Sequence, residues 1–132
     1  MTRMGLAALA AGMVAVTPAF GIAQESEAAS VSQGERVFQR CYACHSLGET
    51  DEGAQGPSLK GIVERPVAAW PGYEYSPAMR AFAARQGRWT REALDTFLAD
   101  PQGSVPDNEM GFFGLRSPAE RAALIAFLAE QR

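Results

Sequence analysis

The sequence predicts an all-α domain whose helices are joined by long loops rich in glycine and proline. Apolar side chains recur at i, i+3, i+4 and i+7, the spacing that places them on one face of a helix. Serine or threonine caps mark the starts of the later helices. No segment of useful length alternates apolar and polar residues as a half-buried strand does.

Residues 1–23 predict a segment that is removed from the mature protein. Arg3 is followed by an uncharged, alanine-rich run that contains Pro18 and ends in small residues. A basic start, an apolar middle and a small-residue end are typical of a secretory signal peptide, here cut after Ala23. The alternative is an uncleaved membrane anchor, because a run of about 20 apolar residues can span a bilayer. The proline, the glycines and the weak hydrophobicity of alanine favour cleavage.

Cleavage leaves a polar segment at 24–30, which we expect to be a flexible N-terminal tail, followed by one domain at 31–132. We expect this domain to be periplasmic, without stable membrane insertion. A domain of this size is small for a self-sufficient core, so a large buried prosthetic group would add to its stability.

The charge balance argues against a nucleic-acid-binding protein. Removing Arg3 from the 12 basic residues leaves 11 against 15 acidic residues, a net charge of about −4. Lys60 is the only lysine, and the basic residues form no cluster. A surface that follows a phosphate backbone needs such a cluster.

The first predicted helix ends near the first cysteine. Gly34, Val37, Phe38 and Cys41 share its apolar face, and the glycine indicates that another backbone approaches closely. Residues 46–75 then predict mostly loop, because glycine is frequent and prolines recur.

Three further helices are predicted from their caps. Ser76 and Pro77 open one that ends near Gly87, with Met79 on its apolar stripe. Thr90 caps the next, which ends before Pro101. Residues 100–114 predict an irregular loop. The last helix opens at Ser117-Pro118, has the capping-box Glu120, and runs to the C-terminus.

The string "CYACH" holds both cysteines, Cys41 and Cys44, and the only histidine, His45. A closed zinc site is disfavoured because it needs four such ligands. A thioredoxin-like redox pair is disfavoured because no strand precedes the motif. A disulfide suits an exported protein but leaves His45 unexplained. C-x-x-C-H is also the signature of covalent haem attachment, which uses all three side chains and is our preferred interpretation.

A haem iron held by His45 needs a sixth ligand or an open position. The mature chain offers Met79, on a helix stripe where core packing is the default explanation, and Met110, in the loop before the last helix. We expect Met110 to be the ligand. A His/Met pair raises the reduction potential and leaves no open position for oxygen or peroxide, which favours electron transfer over catalysis.

Residues Gly34 to Leu128 resemble the class I cytochromes c, particularly the mitochondrial and bacterial cytochrome c2-like branch. The matching strings keep the family's order and read "GERVFQRCYACHSL", "GPSLKGIVERPV", "PGYEYSPAM", "WTREALDTFLADP", "MGFFGL" and "ERAALIAFL". The resemblance implies the small cytochrome c fold, with helices packed around one covalently bound haem. It also implies thioether bonds at Cys41 and Cys44, with His45 and Met110 as the iron ligands.

The same resemblance implies roles for four more residues. Pro57 matches the proline whose carbonyl accepts a hydrogen bond from the histidine ring. Arg65, Tyr75 and Trp89 match positions that contact the haem propionates or the polar groups around them. The alternative for the two aromatic residues is ordinary core packing, and for Arg65 a surface charge.

Two further features bear on packing. Gly34 and Phe38 match the contact of the first helix with the last, where Leu124 and Phe127 would be their partners. Phe97 stands where many relatives have a tyrosine that reaches the methionine ligand, so the environment of that ligand should differ here.

The charges near Met110 also depart from the resemblance. Many relatives surround the haem edge with lysines, whereas this chain has Asp107 and Glu109. Charge complementarity sets encounter rate and partner choice. We therefore expect a partner less acidic than the usual oxidase site, or docking that depends more on apolar contact. Arg80, Arg85 and Arg88 are candidates for a separate basic patch.

These observations predict a monomeric, soluble electron-transfer protein with one haem c, and not an enzyme. It would carry single electrons between respiratory or photosynthetic complexes, or for a dedicated dehydrogenase. Two other classes remain as alternatives. One is a haem enzyme or gas sensor whose sixth ligand is open or displaceable, and the other is a disulfide-stabilised binding module.

Overall fold

The computed structural model describes residues 20–50 and 54–132. The predicted cut after Ala23 lies at the edge of this part, and most of the predicted signal peptide lies outside it. Within the described residues the chain forms five helices: α1 (Phe20–Phe38), α2 (Pro77–Gln86), α3 (Arg91–Ala99), α4 (Pro101–Ser104) and α5 (Pro118–Glu130). Extended pairing among these residues is limited to one antiparallel bridge, between Pro66 and Arg88. The predicted all-α fold is confirmed.

The first helix differs from the prediction at both ends. Residues 24–30, expected to be a flexible tail, lie within α1. The helix ends at Phe38, so Cys41 follows it rather than lying on its last turn. The reason is a tightening of the backbone, in which Arg40 N–H donates to the Val37 carbonyl at 3.1 Å and Cys41 N–H to the Phe38 carbonyl at 2.8 Å.

The predicted caps are present in the later helices. Ser76, Thr90 and Ser117 each accept a hydrogen bond from the backbone N–H three residues on. Gly87 ends α2 with φ of 76°, a conformation that favours glycine. The helix α4 was not predicted. It forms inside the expected loop because Asp100 caps it and Pro101 occupies its first position.

The core lies between α1, α3 and α5. A Cβ added to Gly34 of α1 would overlap the carbonyl oxygen of Ala123 and lie 2.6 Å from Phe127 Cβ. The Phe38 and Phe127 rings are 5.6 Å apart. The expected close approach of the first and last helices is therefore present.

The helix α2 contributes differently from its neighbours. None of its residues is buried, although the predicted stripe of α2, including Met79 and Phe82, packs against the edge of the core. In contrast, α3 buries Leu94 and Phe97, and α5 buries Leu124. No helix among residues 20–50 and 54–132 combines the length and the apolar character needed to cross a membrane.

Candidate functional site

The turn that carries "CYACH" is held by its own backbone. Cys44 and His45 N–H groups both donate to the Cys41 carbonyl, at 3.1 and 3.0 Å. Cys41 and Cys44 are partly exposed and are not joined in a disulfide. Burial raises the pKa of the Cys41 thiol, so the folded chain disfavours its thiolate. The two sulfurs and the imidazole are thus presented together by one short, hydrogen-bonded segment.

The His45 ring is oriented by the loop opposite. Its Nδ1 lies 2.8 Å from the Pro57 carbonyl oxygen, a contact that makes Nδ1 the donor and leaves Nε2 as the nitrogen that can bind iron. Gly56 N–H donates to the Cys44 carbonyl at 2.7 Å. A Cβ on Gly56 would lie 2.5 Å from His45 Cε1, so only glycine lets the backbone pass this close to the ring.

A cavity of about 540 Å³ lies beside this turn. That volume is within the range of about 300–1,000 Å³ typical of small-molecule and cofactor sites. The structure brings every residue that the sequence singled out for a site to this cavity: Cys41, Cys44, His45, Pro57, Arg65, Tyr75, Trp89 and Met110.

The remaining lining fits a flat, largely apolar group bound by thioether bonds. Helices α3 and α5 supply Leu94, Phe97, Leu98, Leu124 and Leu128. Two thiols adjacent to an imidazole provide the attachment chemistry, and the aliphatic and aromatic wall provides the apolar surroundings.

Arg65 brings a positive charge to the cavity. Its guanidinium donates to the carbonyl oxygens of Lys60 and Ser58, at 2.8 and 3.0 Å, and lies 4.9 Å from the centre of the Trp70 ring. These contacts make Arg65 a fixed part of the site rather than a mobile surface charge.

Tyr75 and Trp89 line the same cavity through different contacts. The Tyr75 hydroxyl accepts a hydrogen bond from the backbone N–H of Trp70 at 3.2 Å. Trp89 is buried, and its ring centre lies 5.6 Å from that of Phe82 and 5.0 Å from that of Phe97. Trp89 therefore both packs in the aromatic core and lines the cavity.

Both methionines of the predicted mature chain reach the cavity. Met79 lies in α2, where its N–H donates to the Ser76 cap at 3.1 Å. Met110 lies outside the helices, where its N–H donates to Asn108 Oδ1 at 2.9 Å. The two candidates for a sulfur ligand thus differ in setting, one on a helix and the other on a separately braced loop.

Sequence reasoning missed several residues of the site. Gly56 stands in the quoted string "GPSL" beside Pro57, so that string was an available signal. Tyr73 and Asn108 also line the cavity, but neither carries a sequence signal of its own. Arg40, directly before the motif, donates to Glu120 of α5 at 2.7 and 3.1 Å. This hydrogen-bonded pair lowers the pKa of the Glu120 carboxyl and raises the pKa of the Arg40 guanidinium.

Comparison with known proteins assigns the chain to a family. The family model described as cytochrome c matches residues 31–132. A cytochrome c2 from Agrobacterium tumefaciens (strain II Chrys) is 40% identical over 98 residues, covering 74% of this chain and 88% of that protein. A cytochrome c2 from Rhodomicrobium vannielii is 38% identical over 99 residues, covering 75% and 77%.

Solved structures agree with this assignment. Cytochrome cH from Methylobacterium extorquens superposes with a TM-score of 0.67 at 32% identity, covering 74% of this chain and 95% of that one. Ferricytochrome c2 from Rhodopseudomonas palustris gives a TM-score of 0.68 at 28% identity, covering 77% and 98%. The chain belongs to the cytochrome c family and carries one covalently bound haem c, attached through Cys41 and Cys44 of its C-x-x-C-H motif.

Proposed function

We propose that this protein is an exported carrier of single electrons whose haem iron is held by His45 and Met110. The observation that carries the proposal is that the attachment turn and Met110 line the same cavity. The Pro57 carbonyl accepts a hydrogen bond from Nδ1 of His45, which leaves Nε2 for the iron. The family match supports electron transfer as the activity. A haem iron held by both His45 and Met110 would have no coordination position left for a substrate.

When bound, the haem supplies an iron atom that can cycle between ferrous and ferric states. The task of the chain is to keep both ligands in place in both states, so that little reorganises on transfer. Pro57 and Gly56 restrict rotation of the His45 ring from the side of the loop. A thioether ligand favours the ferrous state and raises the reduction potential.

The polar groups of the cavity have a complementary task. Arg65 is fixed by two backbone carbonyls and an aromatic face, so its charge can offset a haem propionate without the cost of ordering a free side chain. Tyr75 and Trp89 carry an O–H and an N–H donor for the same groups. We assign all three to the propionate end of the haem.

Phe97 gives the methionine a different environment from that of many relatives. It lines the cavity and packs on Trp89, with ring centres 5.0 Å apart. A phenylalanine has no hydroxyl, so this position cannot donate a hydrogen bond to the thioether.

The partner is a redox protein that approaches the surface around Met110. Next to the cavity-lining Phe112, the side chain of Phe113 is 94% exposed. Asp107 and Glu109 are exposed in the same loop. An apolar contact bordered by carboxylates fits a partner surface with an apolar centre and basic neighbours. The predicted signal peptide supports an encounter in the periplasm, and we expect the protein to act as a monomer.

The ligand assignment is tested by substituting each methionine in the haem-loaded protein. Oxidised wild-type protein should show the far-red sulfur-to-iron absorption. Met110→Ala should abolish this band, because the iron loses its sulfur ligand. Met79→Ala is the matched control, since it removes the other cavity-lining thioether, and it should keep the band.

The alternative function is an enzyme or gas sensor with an accessible iron. High-spin ferric iron, or ready carbon monoxide binding by the reduced wild-type protein, would contradict the carrier and support this alternative. Loss of the far-red band in Met79→Ala but not in Met110→Ala would reassign the sixth ligand.

A further inference from the structure

The loop that presents Met110 is braced by two amide side chains, Gln102 and Asn108. Asn108 is only 8% exposed. Its Nδ2 donates to the carbonyls of Pro101 and Val105, at 2.9 and 2.8 Å, and its Oδ1 accepts from Met110 N–H at 2.9 Å. One side chain therefore ties the methionine backbone to both ends of α4.

Gln102 holds the same stretch of backbone through its carbonyl groups. Its Nε2 donates to the carbonyl oxygens of Asn108 and Met110, at 3.3 and 3.2 Å. The N–H and the C=O of Met110 are therefore both engaged by amide side chains, which restrains the backbone on both sides of the Cα that carries the thioether side chain.

The brace is anchored to a rigid part of the fold. Val105 is 1% exposed, and its N–H donates to the Pro101 carbonyl at 2.9 Å. Ser104 Oγ donates to the Thr96 carbonyl in α3 at 3.3 Å. The corner formed by α3 and α4 is thus a fixed reference against which the methionine loop is held.

Gln102 has no packing reason to adopt this geometry. The residue is exposed, and water could satisfy its amide at no entropic cost of ordering the side chain. The only hydrogen bonds described for it reach the loop that carries Met110. A buried asparagine needs partners for its own burial, but an exposed glutamine does not.

We infer that Gln102 and Asn108 are positioning residues that keep the Met110 loop closed and so hold its sulfur on the iron. This inference rests on the proposed His/Met ligation. The braces raise the free energy of the open loop, in which Met110 leaves the iron and another ligand can enter. Removing one brace should increase the population of the open loop.

The test measures how fast an external ligand displaces Met110 in the haem-loaded ferric protein, with imidazole as the probe. A net hydrogen bond corresponds to about a three- to tenfold change in an equilibrium. Gln102→Ala should therefore speed imidazole binding about three- to tenfold at low imidazole concentration, where the rate is proportional to the population of the open loop. Gln102→Glu, which keeps the shape but removes the donors, should behave in the same way.

The matched control is Gln86→Ala. The Gln86 amide likewise donates to a backbone carbonyl, that of Arg88 at 3.3 Å, but it does so at the end of α2. Its imidazole rate should equal that of the wild-type protein. Denaturant unfolding of each variant separates local opening of the loop from a general loss of stability.

Each outcome bears on the inference. Unchanged imidazole rates in both Gln102 variants would overturn it, as would increases that merely follow global stability and occur equally in Gln86→Ala. Asn108→Ala, if it folds, should give a larger increase than Gln102→Ala. Absence of the far-red band in the wild-type protein would instead overturn the His/Met ligation, an outcome distinct from failure of the braces.

Discussion

At the scale of single residues, the environment of His45 shows how little freedom the attachment turn has. The ring donates to Pro57 on one side, and the backbone of Gly56 passes against its edge. The Gly56 N–H in turn bonds to the Cys44 carbonyl at 2.7 Å, so the ring and the loop are tied to each other. Any side chain at position 56 must therefore displace either the His45 ring or the loop backbone.

We expect Gly56→Ala to lower the free energy of unfolding of the haem-loaded protein by about 1–3 kcal/mol, the usual cost of forcing a methyl group into a packed site. Guanidinium titration measures the change. Gly48→Ala is the control, because a Cβ there would lie 3.9 Å from the nearest backbone atom, the Thr50 carbonyl oxygen, in ordinary contact. Equal midpoints for the two variants would show that the His45 ring can shift without cost.

The residues of the site differ in how well the sequence predicted them. Cys41, Cys44 and His45 were predictable because the thioether chemistry requires that spacing. Gln102 and Asn108 were not, because their amides bond to main-chain atoms that come within reach only after α4 and its loop have folded. Nothing in the spacing of these residues indicates that conformation.

At the scale of elements, the molecule depends on the contact of its first and last helices. Their backbones meet at Gly34, and the Phe38 and Phe127 rings pack beside that point. The ion pair of Arg40 with Glu120, at 2.7 Å, then connects the turn before Cys41 to the first turn of α5. The attachment motif is thereby joined to the C-terminal helix directly as well as through the core.

The stabilising effect of this ion pair should depend on pH. In the folded protein the pKa of Glu120 is lowered, chiefly by the hydrogen bond from Arg40. The ionised carboxyl therefore stabilises the fold fully above the ordinary carboxyl pKa, and this stabilisation is lost as pH falls through the lowered pKa. Glu120→Gln should therefore reduce the urea midpoint at about pH 7, and this effect should shrink as the pH falls below the ordinary carboxyl pKa of about 4.3.

The control for that experiment is Glu92→Gln, since Glu92 likewise lies in the first turn of its helix. It reports the effect of removing a carboxylate from a helix N-terminus, where negative charge is favourable. A Glu120→Gln effect no larger than the control at about pH 7 would show that the Arg40 pair contributes nothing measurable, as exposed pairs often do not.

The later helices were predictable at this scale because Ser76, Thr90 and Ser117 are local signals that act within four residues. The end of α1 was not, because the tight turns after Phe38 suit the geometry of the attachment motif rather than any capping residue. The short helix α4 was hidden by its glycine and proline content, which predicts loop.

At the scale of the whole molecule, charge and apolar exposure together describe how a partner meets the protein. The chain has a net charge of −3, and loss of Arg3 makes it about −4. The exposed Phe113 lies in a loop that carries the acidic Asp107 and Glu109 beside Met110 and the basic Arg116 further along. A cationic reagent should therefore be attracted to the surface at which we propose that redox partners dock, and an anionic one repelled.

The sign of the charge at this surface can be measured with two small oxidants that carry opposite charges. Electron transfer from the reduced protein to tris-phenanthroline cobalt(III), a cation, should slow as salt is added, whereas transfer to hexacyanoferrate(III), an anion, should become faster. The reason is that the screening length falls from about 30 Å at 0.01 M to about 8 Å at 0.15 M ionic strength. Stopped-flow absorption of the haem gives both rates.

The double variant Asp107→Asn/Glu109→Gln should weaken the salt dependence of the rates with both oxidants. The control is the double variant Glu92→Gln/Glu130→Gln, which changes the net charge by the same amount elsewhere and should have a smaller effect. Equal effects of the two pairs would mean that net charge alone, and not the Met110 loop, governs the approach.

The packing of α5 also has a consequence for the order in which the protein matures. Leu124 and Leu128 help to close the cavity, and the Gln131 carbonyl accepts a hydrogen bond from Gly61 N–H at 2.5 Å, although these residues lie far along the chain from the attachment motif. A chain whose α5 has not yet packed against the core therefore leaves Cys41 and Cys44 more open than the folded chain does. We expect haem attachment to have its best access to both thiols in that state, before folding partly buries Cys41 and raises the pKa of its thiol.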